Sequence, residues 1–139
     1  MFDIKYRPYH YLWLSIFLLA VLSSLASNKA IDIQMHDTYL VIAILHIGII
    51  FGGIHAILGF IYWIVRFMKL ITWMTYVHVI TTIVISVLLI LLCVLYTISN
   101  NFYLDDFSSI SALTFIQIFI LCQVLFLLNL ILSTFKHYS

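Results

Sequence analysis

The sequence predicts an all-α fold: an integral membrane four-helix bundle forming a single transmembrane domain over residues 1–139. Composition, the grouping of apolar residues and one short connection carry that expectation. The chain is 65% hydrophobic and 8% charged, whereas soluble domains are about 25% charged, and its mean hydropathy is +1.22. Its apolar residues gather into four long runs, about 9–27, 37–65, 70–98 and 109–135. A bilayer core of about 30 Å takes about 20 apolar residues per helical crossing, so each run is long enough to span. Between the second and third runs, Arg66-Phe67-Met68-Lys69 leaves room only for a tight turn between antiparallel neighbours.

The first run follows Pro8 and ends at Ser27-Asn28. A basic start and a small-residue end also suit a signal peptide, but Tyr9 and Trp13 at its head fit a retained first helix better. Asp37 opens the second run, where a carboxylate accepts free backbone N–H groups and meets the positive end of the helix dipole. The second and third runs exceed the bilayer's need and so tilt or project. Ser99-Asn100-Asn101 stops the third, and Asp106, Ser108 and Ser109 start the fourth. Trp13, Trp63 and Trp73 fall near run ends, at headgroup level.

Lys5, Arg7, Arg66, Lys69 and Lys136 fall on one side of the membrane and Lys29 on the other, which places both termini in the cytoplasm. Asp32, Asp37, Asp105 and Asp106 give the outer face an acidic, solvated surface. A net charge of +1 with dispersed cations excludes nucleic acid as a partner. Cys93 and Cys122 lie inside apolar runs without C-x-x-C spacing, so neither a disulfide framework nor a zinc cluster is indicated.

The stretch Asp32 to Gly48, "DIQMHDTYLVIAILHIG", sets polar and ionisable residues at the mouth of an apolar run, where each one calls for a reason. Asp32, Ile33, His36, Asp37, Thr38, Tyr39, Val41, Ala43 and His46 stand, without a gap, at the positions of the signature L-D-I-x-x-H-D-T-Y-Y-V-V-A-H-x-H. On these residues the chain resembles subunit I of the haem–copper cytochrome c and quinol oxidases. "GIIFGGIHAILGFIYW" and "WMTYVHVI" extend the likeness more weakly. The resemblance implies a free-standing piece equivalent to the ninth to twelfth helices of that subunit, in a bacterial inner membrane. It also implies that His46 matches the ligand of the low-spin haem and that the high-spin ligand position is Ile44. Isoleucine cannot coordinate iron, and the helices carrying the copper ligands have no counterpart, so oxygen reduction by this chain alone is not expected. His36 and Asp37 match residues near the haem propionates and a divalent ion.

His46 leaves two readings open. It is an axial ligand of a b- or a-type haem, sharing the iron with a histidine of another chain, or it is a retained polar residue satisfied by a carbonyl, hydroxyl or water. At about 100° per residue, His46 and His55 lie on nearly opposite faces of one helix and cannot grip one haem together. His55 shares a face with Gly48, Gly52, Ala56 and Gly59, a seam that lets another helix approach closely. His78 reaches a similar depth across the turn, which allows a His55–His78 pair as a direct contact or as a second ligand set. Gln117, Gln123 and Asn129, spaced by six, predict no single polar stripe, and no carboxylate relay crosses the membrane, so a proton or solute pathway is disfavoured. The expected function is a noncatalytic haem-binding or electron-transfer membrane subunit, with a haem-free structural or assembly subunit of a larger complex as the alternative. Expected partners are membrane lipid and either a second copy or a larger membrane complex.

Overall fold

The computed structural model describes residues 7–35, 38–98 and 105–138. Four helices dominate it: α1 (Pro8–Ser24), α2 (Ile44–Ile64), α3 (Thr72–Ile98) and α4 (Asp105–Tyr138). Three segments, Ile44–Phe67, Thr72–Leu95 and Thr114–Phe135, are long and apolar enough to cross a membrane. The 17 residues of α1 rise about 26 Å, slightly less than a bilayer core of about 30 Å. Pro8 occupies the first turn of α1, where its missing N–H is no loss.

The second helix begins at Ile44 and not near Asp37. Ahead of it, β1 (Ala30–Met35) and β2 (Thr38–Ala43) pair antiparallel, with Ile33 opposite Leu40 and Asp32 opposite Val41. Part of the physical reason is local. Ile31, Ile33, Thr38, Tyr39, Val41 and Ile42 are β-branched or aromatic and fit a pleated strand better than a helix. Ala43 is still extended at φ −66°, ψ 137°, and the Ile44 N–H reaches the Lys29 carbonyl at 3.1 Å, tying the base of the hairpin. Ala43 holds the cap position of α2 without a side-chain hydrogen bond, so Asp37 does not cap this helix. The proposed ligand pair His36 and Asp37 lies outside the described residues. At the other end of the chain, α4 starts at Asp105, and Asp106 and Ser108, expected as start signals, fall within its opening turn.

Helix α1 packs against both α2 and α3, and α4 packs against α3. The small-residue seam of α2 is the surface that receives α1. A Cβ at Gly48 would run into the Ser23 side chain, one at Gly59 would run into the Trp13 ring, and one at Gly52 would stand 3.6 Å from Ile16 Cγ2. Two apolar clusters fill the interior. Leu12, Leu58, Tyr62, Val79 and Phe126 form the one towards the α2–α3 turn, and Leu19, Ala26, Ile44, Ile90 and Val94 the one towards the hairpin. Phe17, Ile49, Ile57 and Leu121 stand more than half exposed on the outside, a surface that is costly in water and suited to lipid.

Candidate functional site

Thr75, His78, Thr82 and Ser86 recur at steps of three and four along α3, which puts them on one face. All four are buried. That face meets polar side chains from each of the other helices, and the two interior histidines are its centres.

His55 is 0% exposed near the middle of α2. Its Nδ1 lies 2.5 Å from Ser15 Oγ of α1 and its Nε2 lies 3.0 Å from Ser86 Oγ of α3. One ring thus ties three helices at the level between the two apolar clusters. His78, also 0% exposed, has Nδ1 at 2.9 Å from the Tyr62 hydroxyl of α2 and Nε2 at 3.1 Å from Gln123 Oε1 of α4. Its ring stacks on Phe126 at 4.7 Å between centroids. Gln123 Nε2 donates onward to Thr82 Oγ1 at 3.4 Å, and the Cys122 thiol donates to the His78 carbonyl at 3.4 Å.

Asn129 of α4 closes the column near the α2–α3 turn. Its Oδ1 accepts the Ile71 N–H at 2.9 Å, and its Nδ2 donates to Thr75 Oγ1 at 3.0 Å and to the Ile71 carbonyl at 3.4 Å. The first N–H groups of a helix have no partner within it, so this amide does at the head of α3 what a local cap does elsewhere. Among the described residues, every buried side-chain nitrogen and oxygen has a hydrogen-bond partner.

The histidines therefore separate into two kinds. His55 and His78 do not pair with each other, as the sequence had suggested they could. Their four ring nitrogens each meet a different side chain. Coordinating iron takes an unshared imidazole lone pair, so either ring would have to give up a helix-bridging hydrogen bond to become a ligand. His46 is exposed on the outer surface of α2 beside Ile49, Ile50 and Gly53, also exposed. A Cβ at Gly53 meets nothing within 4 Å, so this side of the helix is open. Ile44 is fully buried in the apolar cluster towards the hairpin. Among the described residues no three of His, Cys, Asp and Glu gather where a metal ion could bind.

Ser15, Tyr62, Thr75, Thr82, Ser86, Gln123 and Asn129 were not legible as a group from α4 alone. Gln123 and Asn129 are about 120° apart on an ideal helix, yet both reach α3 through long side chains. Gln117 is exposed and stands outside the column. The signal that would have found it is the polar stripe of α3. Comparison with family models, curated proteins and solved structures returns no match.

Proposed function

We propose that this chain is a noncatalytic, membrane-embedded subunit that acts by lateral contact with other chains, as a homodimer or within a larger membrane complex, and carries no cofactor inside its own bundle. One observation carries the reading: the ring nitrogens of both interior histidines are committed to other helices. A bundle tied in this way is a stable unit with a surface to offer, and its polar interior holds the helices in register.

In this reading the α2–α3 turn faces the cytoplasmic side of a bacterial inner membrane and the hairpin faces out. Arg66 at that turn lies 5.0 Å from the Trp63 ring centroid and 4.7 Å from that of Phe67, a cation and aromatic pairing suited to the headgroup level. The test is a photo-crosslinker placed at Gly53, on the open side of α2, in native membranes. A defined crosslinked species is expected, either at twice the mass of the chain or with a discrete heterologous partner. Monomer alone under conditions that crosslink a known membrane dimer contradicts the proposal.

A second reading, a haem-binding electron-transfer subunit, is favoured by the exposure of His46. The open face around Gly53 leaves room for a planar group, and His46 would supply one axial nitrogen to a b- or a-type haem, with the other coming from a second chain. The haem would supply one-electron chemistry. This chain's residues would bind it and shield one edge with Ile49 and Ile50. A reduced low-spin band abolished by His46→Ala would establish this reading.

A further inference from the structure

The two histidine bridges look alike but differ in their hydrogens. At His78, Gln123 Oε1 can only accept, so Nε2 carries the ring hydrogen, and the Tyr62 hydroxyl donates to Nδ1. A neutral imidazole completes both contacts.

At His55 the count does not close in the same way. Ser15 Oγ donates to the Leu12 carbonyl at 2.6 Å, and Ser86 Oγ donates to the Thr82 carbonyl at 2.8 Å. A carbonyl only accepts, and a serine has one hydrogen. With both serines donating to their carbonyls, each turns an oxygen lone pair towards the ring, and both Nδ1 and Nε2 then have to donate. Four contacts call for four hydrogens, while two serines and a neutral imidazole bring three. The fourth is present only when the ring is an imidazolium.

We propose that His55 is a proton-binding site at the centre of the bundle, its second ring hydrogen held between Ser15 of α1 and Ser86 of α3. In the neutral protein one serine turns its hydroxyl from its carbonyl to the ring. Two arrangements do this: Nδ1–H with Ser86 donating to Nε2, or Nε2–H with Ser15 donating to Nδ1. A proton taken from water onto the acceptor nitrogen returns that hydroxyl to its carbonyl, and no heavy atom has to move. Nothing is oxidised or reduced, and the positive charge stays on the ring.

The surroundings decide how such a charge is held. No Asp, Glu, Lys or Arg occurs in residues 8–24, 44–65, 72–98 or 107–135. Helix α1 presents Ser15 to the ring. Helix α3 presents Ser86 and, about two turns nearer the α2–α3 turn, His78, a second imidazole that would repel a charge on His55 if it were itself protonated. Tyr62 on α2, Cys93 on α3 and Cys122 on α4 are further titratable groups of the packed helices. Without a counter-ion the imidazolium is held by two serine oxygens, so its proton is released readily. Because Ser15, His55 and Ser86 belong to three helices, proton uptake tightens the junction of α1, α2 and α3. This inference does not depend on whether His46 holds a haem.

The experiment is nitrogen NMR of the full chain with ring-labelled histidine, in detergent micelles, between about pH 8 and pH 5, where imidazoles titrate. The His55 signal is assigned with His55→Gln. At the upper end His55 should exchange between two tautomers while His78 shows a single Nε2–H form. On acidification His55 should gain its second hydrogen before His78 does. Ser15→Ala and Ser86→Ala each remove a serine with its hydrogen and both its contacts, leaving two contacts and two hydrogens around a neutral ring. Proton affinity at His55 should fall at least about tenfold in either variant, the worth of one hydrogen bond to a charged group, with the His78 signal unchanged as a report on folding. A single His55 tautomer throughout the range, no second hydrogen on His55 at its lower end, earlier protonation of His78, or unaltered His55 titration in the folded serine variants overturns the proposal. Should the variants not fold, the comparison of the two histidines in the unmodified protein still decides.

Discussion

Replacing Asn129 with alanine removes the amide that joins α4 to the start of α3. Three hydrogen bonds to the start of α3 disappear, to Ile71 N–H, Thr75 Oγ1 and the Ile71 carbonyl, along with the one that Asn129 Oδ1 accepts from Ser133 Oγ within α4. Interhelical hydrogen bonds in membranes contribute about 0.6 kcal/mol each on average, so the three together contribute about 2 kcal/mol. The Ile71 N–H, now unpaired beside an apolar cavity, adds about 1 kcal/mol or more. A loss of about 3 kcal/mol is therefore expected for Asn129→Ala, measured by reversible unfolding in mixed micelles. Gln117→Ala on the exposed side of the same helix should stay within about 0.5 kcal/mol. If Asn129→Ala falls within that same margin, the amide does not secure α4 and the polar column is not what joins these helices.

The same measurement checks the other contacts. Gly48→Ala should cost about 1–3 kcal/mol, because its new methyl group meets Ser23 Cβ, which cannot rotate away, while Gly53→Ala, facing open space, should be neutral or slightly stabilising. Tyr62→Phe deletes the donor to His78 Nδ1 and should cost about 1–2 kcal/mol. A double-mutant cycle with His78→Phe should return a coupling of about 0.6–1.7 kcal/mol; zero coupling removes the Tyr62–His78 hydrogen bond from the description.

Much of the helical architecture was legible because the helices are long apolar runs. Twenty or so apolar residues with terminal Trp and a short basic turn leave few alternatives, and α2, α3 and α4 follow. The hairpin was not legible. Residues 40–43 are as apolar as the helix that follows them, and hydropathy does not distinguish a strand from a helical turn. What separates them is the β-branched content of Ile31, Ile33, Val41 and Ile42 together with the pairing of two segments, a tertiary effect. The glycine seam was readable because Gly48, Gly52 and Gly59 share a face whatever packs there, although only the structure identifies α1 as the occupant. At the candidate site, reading His55 as inward was straightforward from its place on that seam. Its partners were not, because Ser15 and Ser86 look like ordinary helix serines bonded to their own backbone. The same holds for Asn129, whose role depends on where the first turn of α3 ends up.

The visible absorption spectrum of the protein, purified in detergent from haem-replete cells and recorded oxidised and reduced, bears most directly on a bundle whose interior histidines are structural ties. A folded, colourless preparation is expected. A sharp low-spin reduced band that persists in His46→Ala and disappears in His55→Ala or His78→Ala would contradict it, since one of those rings would then be a ligand and not a tie between helices.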